Sequence, residues 1–476
     1  MHPAVGKREI VHQTLNHLYS ELTSGTPSVS TLVGVAYGLS DPIAVRVQVS
    51  QLADHFGKLK NQIETEVSHD DVHFVSRCDL LGLYQSALSK VFNDIPQLQG
   101  YGDKNPIWVT TLLEEAVWNV GAFLNNIYED EHKQKQPLIV SILTELKKYG
   151  NQRAPYIPGV PDSRKLSEDF NQPIALLADW GGDNPAAKKV AAAALREKPA
   201  MVIHLGDIYY GGTQLECETF LKLWPMQTDS KVPGSIPTGT SLALNGNHEM
   251  YSGGGPYFGT VLPAFGQSHP FFCLEGEYWR LIGLDTAYSG GRLKPQGSDD
   301  PMTEQWNWLV DILKNGPKRA NILLTHHQPV SAHQQEYHDS TALRADIADL
   351  MSLVGDDAIY GWFFGHEHRC AAYDDSALPY NARLIGNGCI PHKVQQEKAA
   401  DPGCTPVAHF NKRPIAPGNN AAVSMYALLR FQDYWLTITY VDEDETAWAS
   451  EKWDSRKGRA GTEPMIIADQ VSRPPI

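Results

Sequence analysis

The stretch Val202–Gly212, VIHLGDIYYGG, decides how this chain is read. Val202 to Leu205 form an apolar run of strand length with one histidine inside it. A Gly-Asp pair stops the run, and two tyrosines follow before a Gly-Gly turn. An apolar strand that delivers a carboxylate and a phenol into the next loop is the pattern of an open α/β sheet, which presents ligand groups beyond the carboxyl ends of its strands. Upstream, PIALLAD (Pro173–Asp179) is a similar run ending in a carboxylate. Between the two, AAKKVAAAALREK is a strong helix former with Asn184 as N-cap and Pro185 at the first helical position. The three segments predict a β-α-β unit.

Later apolar runs behave alike. SLALNGNHE (Ser241–Glu249), NILLTHHQP (Asn321–Pro329) and YGWFFGHEH (Tyr360–His368) each end in a polar cluster. Five strand ends thus carry Asp179; Asp207 with Tyr210; Asn247 with His248; His326 with His327; and His366 with His368. Carboxylate, phenolate, amide oxygen and imidazole suit hard to borderline metals such as iron, zinc or manganese, and the absence of thiolate argues against a structural zinc site. From about Ser424 the chain alternates, with Leu436, Ile438 and Tyr440 on one face and a turn near Gln432 and Asp433, which predicts a hairpin. TEQWNWLVDIL reads as a helix packed on the sheet, with Trp306 and Trp308 as packing residues, and His204 reads as structural.

The first 150 residues read differently. Val11, Leu15, Leu18 and Leu22 repeat at helical spacing, as do Val49, Leu52, Phe56, Leu59, Ile63 and Val67; then Leu80, Tyr84, Leu88, Val91 and Ile95; then Leu113, Ala116, Val117, Val120, Leu124 and Ile127. This predicts an all-helical N-terminal domain over 1–150, without a catalytic constellation, that serves as a packed cap or as a surface for a protein partner or self-association. Residues 151–172, with Pro155, Pro158 and Pro161, read as a linker, and 173–476 as the catalytic domain.

Totals bound the function. The chain has 476 residues, 42% hydrophobic and 9% aromatic, with a formal net charge of -15. That charge argues against non-specific binding to nucleic acid or to an anionic membrane surface. No window approaches the roughly 18 apolar residues of a membrane span, and the N-terminus lacks the apolar core of a signal peptide. Six cysteines without C-x-x-C spacing read as free thiols of a cytoplasmic protein.

As an ordered set, Asp179-Trp180-Gly181, GDIYY, GNHE, THHQP and GHEH resemble the calcineurin-like metallophosphoesterases, and within them the purple acid phosphatase branch. The resemblance covers roughly Pro173 to Trp453. It implies a four-layer αββα sandwich behind the helical N-terminal domain. It also implies a first metal held by Asp179, Asp207, Tyr210 and His368, and a second held by Asn247, His326 and His366, with Asp207 bridging. His327 stands beside His326 as the other candidate, and the H-x-P-P form of the family favours His326. Many members carry a histidine two residues after the first aspartate; Gly181 stands there in this chain, and Tyr210 occupies the position of the purple branch's tyrosine.

Two metals about 3.5–4 Å apart need a short ligand spanning both, which an aspartate supplies. The implied activity is hydrolysis of phosphoric esters, foremost monoesters, by a metal-activated hydroxide, with His248 as general acid. A phosphodiesterase acting on cyclic nucleotides or phospholipid headgroups at the same site is the alternative, and a non-catalytic scaffold is a more distant one. The implied cofactors are Fe(III) at the tyrosine site with Fe(II), Zn or Mn at the other. His333 and His338 are read as solvated loop residues rather than phosphate contacts, and Thr286–Asp300 and Pro391–Asn420 as loops that shape substrate choice.

Overall fold

The apolar stripes of the N-terminal region become helices in the computed structural model, which describes residues 3–25, 27–66, 73–94, 127–129, 135–149, 153–227, 235–394 and 400–467. The chain divides into two units. The first contains Met1–Gln152 with the short segments Tyr209–Thr213 and Tyr251–Gly253; the second contains Arg153–Ile208, Gln214–Met250 and Gly254–Ile476.

In the first unit α1 (Arg8–Thr23), α2 (Pro27–Tyr37), α3 (Pro42–Thr65), α4 (Asp79–Asn93) and α5 (Leu138–Lys148) follow in order. α1 buries Val11, Leu15, Leu18 and Leu22, and packs on α3, which buries Leu52, Phe56, Leu59 and Ile63. α3 starts where Pro42 at its first position follows Asp41, whose carboxylate accepts the N–H groups of Ile43 (3.2 Å) and Ala44 (3.1 Å). α2 was not evident from the stripes, because VGVAYG is apolar on most sides. The expected stripe from Leu113 to Leu124, with Val67 and Ile95, lies outside the described residues. Ile127 opens β1 (Ile127–Glu129), which pairs antiparallel with β2 (Lys135–Pro137), so a small sheet accompanies the helices.

The second unit is built on two sheets. Its strands are β3 (Arg164–Lys165), β4 (Ile174–Leu177), β5 (Met201–His204), β6 (Ser241–Ala243), β7 (Phe272–Glu275), β8 (Trp279–Leu284), β9 (Ala320–Thr325), β10 (Gly361–Phe364), β11 (Cys370–Tyr373), β12 (Asn381–Ile385), β13 (Val407–Phe410), β14 (Met425–Gln432), β15 (Trp435–Asp442), β16 (Ala447–Asp454) and β17 (Ile466–Ile467). One sheet has the order β17-β16-β15-β14-β4-β5-β6, the other β13-β11-β12-β10-β9-β8-β7-β3. β4, β5 and β6 are parallel, as are β8, β9, β10 and β12. The expected hairpin is β14 and β15, with Gln432 opposite Trp435 and Asp433 and Tyr434 as its turn. The proline-rich stretch lies in this unit: β3 pairs with β7, and the Tyr288 hydroxyl donates to the Ala154 carbonyl (2.9 Å).

Period-two alternation on the strands creates two apolar layers. Ile174, Leu176, Ile203, Leu242, Leu281, Ile322, Leu324 and Phe363 meet Leu436, Ile438, Tyr440 and Trp453 between the sheets. Ile282, Leu284, Leu323, Trp362 and Phe364 face the other way, against Trp306 and Leu309 of Thr303–Asn315 and Leu343, Ile347 and Leu350 of Thr341–Val354. On the opposite side, Pro185–Arg196 packs against β14, and Gln214–Leu223 meets β5 where Phe220 lies against His204. The first starts as expected, with Asn184 accepting from the Ala187 N–H (2.8 Å). His204 lies there against Phe220 and Trp224, fully buried, and burial lowers its pKa to about 3. This is the αββα sandwich. All six cysteines are free, and among the described residues no helix is long and apolar enough to cross a membrane.

One buried ion pair ties the sheets together. Arg383 on β12 sends two N–H groups to Glu451 on β16 (2.7 Å each), and Glu451 also accepts from the Tyr440 hydroxyl (2.6 Å) and the Trp453 indole (2.9 Å). Burial pushes the Glu451 carboxyl up, but the guanidinium and these donors outweigh it and hold it below its ordinary range. Removing one partner strands a buried charge. Arg383→Met should therefore cost about 3–5 kcal/mol in denaturant unfolding, and pairing it with Glu451→Leu should recover most of that loss. His204 gives a pH dependence: from its ordinary 6.5 down to about 3 the unfolded chain binds a proton that the folded chain refuses. Stability falls with pH across that window, and His204→Leu should flatten the acid limb of a plot of unfolding midpoint against pH.

Candidate metal centre

Each predicted cluster sits just past the carboxyl end of a parallel strand. Asp179 follows β4, Asp207 follows β5, Asn247 and His248 follow β6, His326 follows β9, and His366 and His368 follow β10. The first three strands belong to one sheet and the last two to the other, so the donors converge from both sheets.

Local backbone geometry is set by this convergence. Asp179 (φ 55°), Asp207 (φ 78°) and His366 (φ 72°) all adopt left-handed backbone conformations that an L-residue reaches only at a cost of roughly 1–2 kcal/mol. Hydrogen bonds hold the strained turns: Asp179 N–H donates to Gly206 C=O (3.0 Å), and His366 N–H donates to Asp179 Oδ2 (2.8 Å). Glycines let the loops approach. A Cβ on Gly246 would lie 2.3 Å from Asp207 Oδ1, and one on Gly365 2.3 Å from Asp179 Oδ2. Position 181 is equally tight, since a Cβ there would stand 2.3 Å from Ile208 Cα and 2.6 Å from Asp207 O. A histidine cannot occupy it on this backbone.

Two groups of donor atoms form. In one, ligand atoms of Asp179, Asp207 and His368, all buried, lie within 4.8 Å of one another. The other holds His326, His327 and His366 within the same distance. Asp207 reaches both, because its Oδ1 is 3.2 Å from His326 Nε2.

A hydrogen bond fixes the tautomer of His326. His326 Nδ1 faces the Leu205 carbonyl at 3.0 Å, which only accepts, so Nδ1 carries the proton and Nε2 is a bare lone pair. Burial, with the ring of His327 adding to it, holds His326 neutral, its pKa well below the ordinary value. Around Nε2 stand Asn247 Oδ1 at 2.8 Å, Asp207 Oδ1 at 3.2 Å and His366 Nδ1 at 3.2 Å. Of these four atoms only the His366 nitrogen can offer a proton in its neutral form, and from outside the group the His248 N–H reaches Asp207 Oδ1. A divalent cation is what the donor set fits. His327 instead turns Nδ1 to Thr286 Oγ1 (2.9 Å).

Asp207 is itself strained electrostatically. Burial pushes its carboxyl well above the usual range and the neighbouring Asp179 carboxylate pushes further, with the His248 N–H (3.2 Å to Oδ1) partly offsetting them. Nearby carboxylates in a desolvated site are a common mark of a metal or catalytic centre. The His248 imidazole is buried, with Nε2 3.7 Å from Asp207 Oδ2.

Tyr210 falls in the first unit, where its hydroxyl is 2.9 Å from Nε2 of His73. His333 is buried, stacked on Phe410 with Nδ1 3.9 Å from Asp401, while His338 is exposed. Trp306 lies in the apolar layer and Trp308 packs edge-on to Phe271.

Two supporting carboxylates went unread in the sequence. Glu249, the last letter of GNHE, is fully buried and accepts the backbone N–H groups of Asp207 (3.1 and 3.2 Å) and Gly246 (3.2 Å), so it fixes the turn that aims Asp207. Asp285 ends the apolar run WRLIGL, a signal of the same kind as the others. It accepts from Ala287 and Tyr288 N–H (2.9 Å each) and from the Asn245 amide (3.3 Å), with burial raising its pKa to about 6. Glu249→Gln keeps the shape but replaces an oxygen acceptor with a donor facing N–H groups. It should lower metal affinity and turnover by about 10- to 100-fold, read by metal content and steady-state rates.

The family model for calcineurin-like phosphoesterases matches residues 172–370. Among solved structures the chain is similar to GAP50, the anchor in the inner membrane complex of Plasmodium, at 13% identity over 64% of this chain and 99% of that one, with a TM-score of 0.45. It is also similar to a purple acid phosphatase from yellow lupin (Lupinus luteus) seeds, at 14% identity over 60% and 53% of the two chains and a TM-score of 0.40. A third similar structure is Vps29 of Chaetomium thermophilum, at 10% identity over 60% and 96%, TM-score 0.26. No curated protein sequence matches the chain.

Proposed function

We propose that this chain, whose residues 172–370 form a calcineurin-like phosphoesterase domain, hydrolyses phosphoric esters with two metal ions, and that phosphomonoesters are its preferred class. The observation that carries the reading is Asp207, whose carboxylate belongs to one donor group and lies 3.2 Å from the central nitrogen of the other. When bound, the cations would supply Lewis-acid stabilisation of the phosphate oxygens and a water acidic enough to yield the nucleophile.

The chain's own residues supply the rest. Asp179, Asp207, Tyr210 and His368 would hold the first metal; Asn247, His326 and His366, with Asp207, would hold the second. Leu205 C=O keeps His326 Nε2 free to bind, and Glu249 keeps the Asp207 turn rigid. His248, buried and anchored through its own N–H, gives a proton from its imidazole to the departing oxygen. A phenolate at Tyr210 suits Fe(III), with Fe(II), Zn or Mn at the other position.

Purified chain assayed with iron, zinc and manganese on p-nitrophenyl phosphate and bis-p-nitrophenyl phosphate should hydrolyse the monoester faster. A faster diester points to the phosphodiesterase alternative, and hydrolysis of neither overturns the proposal. Asp207→Asn should remove both metals and bring turnover to background; an inactive variant with full metal content would contradict bridging.

A further inference from the structure

Among the described residues of the first unit, a polar contact reaches a proposed ligand. His73 Nε2 lies 2.9 Å from the hydroxyl of Tyr210, and the two rings are nearly parallel, 11° apart with centroids 6.0 Å apart. The imidazole nitrogen is thus within hydrogen-bond distance of the phenol oxygen, with the two ring planes nearly parallel. Both residues lie in the same unit of the fold.

His73 is held in place from behind. A Cβ on Gly6 would sit 2.4–2.8 Å from its ring atoms, so the backbone of Gly6 lies flat against the imidazole, and the N–H of Phe74 donates to Gly6 C=O at 2.7 Å. The loop carrying the phenol is held as closely. Gly211 abuts Ser86 and Leu83 of α4, where a Cβ would meet Ser86 Oγ at 2.9 Å. A Cβ on Gly82 would meet the Tyr251 ring at 2.7 Å and Tyr210 O at 3.1 Å, and the Ser252 hydroxyl donates to Gly212 C=O at 2.8 Å. Several close approaches on one five-residue loop leave the phenol little freedom.

We infer that His73 is a positioning residue for Tyr210: it fixes the direction of the phenol oxygen and, opposite a phenolate, donates N–H to it. This rests on the reading of Tyr210 as an iron ligand. Outer partners of a ligand set both its orientation and its donor strength, and their loss costs about 10- to 100-fold in metal affinity. An N–H facing a phenolate oxygen withdraws electron density, which raises the energy of phenolate-to-iron charge transfer. Loss of that bond moves the visible band to longer wavelength.

The test uses the full chain loaded with Fe(III), and compares wild type, Tyr210→Phe, His73→Phe and His73→Gln by visible absorption and by iron affinity. Wild type should be coloured and Tyr210→Phe colourless. His73→Phe should absorb at longer wavelength with iron bound about 10- to 100-fold more weakly, and His73→Gln, which keeps a donor, should fall between. A His73→Phe band identical to wild type overturns the inference while leaving the Tyr210 assignment standing. A band that survives Tyr210→Phe overturns that assignment and the inference with it. Carbon-13 tyrosine NMR of the metal-free chain separates a misfolded variant from a true result: the Tyr210 Cζ resonance, identified by its absence in Tyr210→Phe, should shift in both His73 variants. An unchanged resonance overturns the contact itself.

Discussion

The arrangement depends on acceptors crowded into a desolvated space. Asp207 Oδ1, Asn247 Oδ1 and His326 Nε2 are pressed together beside His366 Nδ1, with the backbone N–H of His248 reaching Asp207 Oδ1 as well. Such crowding is unfavourable unless positive charge occupies the centre. The surrounding fold opposes relaxation: three residues of the donor set sit at positive φ, Gly246 and Gly365 put no side chain against Asp207 and Asp179, and Glu249 clamps the turn of Asp207. The protein's own packing holds the donor set together.

Two sheets are needed for that packing. Asp179, Asp207 and Asn247 come from the end of one sheet, His326 and His366 from the other, and the bond from His326 Nδ1 to Leu205 C=O joins them. The relative placement of the sheets therefore sets the spacing of the donor atoms. The apolar layer between them supplies most of the adhesion, and Arg383 with Glu451 adds a directional tie that apolar contacts lack.

Much of this was legible in the sequence because strand ends announce themselves. Apolar runs stopped by Asp, Asn or His marked five ligand loops, Asn184 and Pro185 marked a helix start, and the alternation after Ser424 marked β14 and β15. The part that stayed hidden is long-range. Glu249 and Asp285 act by folding back on backbone N–H groups, a role that an isolated carboxylate does not reveal. His73 has no periodic neighbours and acquires meaning through a residue 137 positions away. The pairing of β3 with β7 was masked by prolines that read as a linker. The tautomer of His326 is legible only through the Leu205 carbonyl, while His327, beside Thr286 Oγ1, lies in the same donor group.

The crowding at Gly181 has an evolutionary consequence. A Cβ there would stand so close to Ile208 and the Asp207 carbonyl that no imidazole fits on this backbone. A lineage with this backbone keeps glycine there for as long as residues 207 and 208 stay where they are, so any side chain at position 181 has to wait for a change at those two. The order in which substitutions arrive therefore decides which of them the fold can accept.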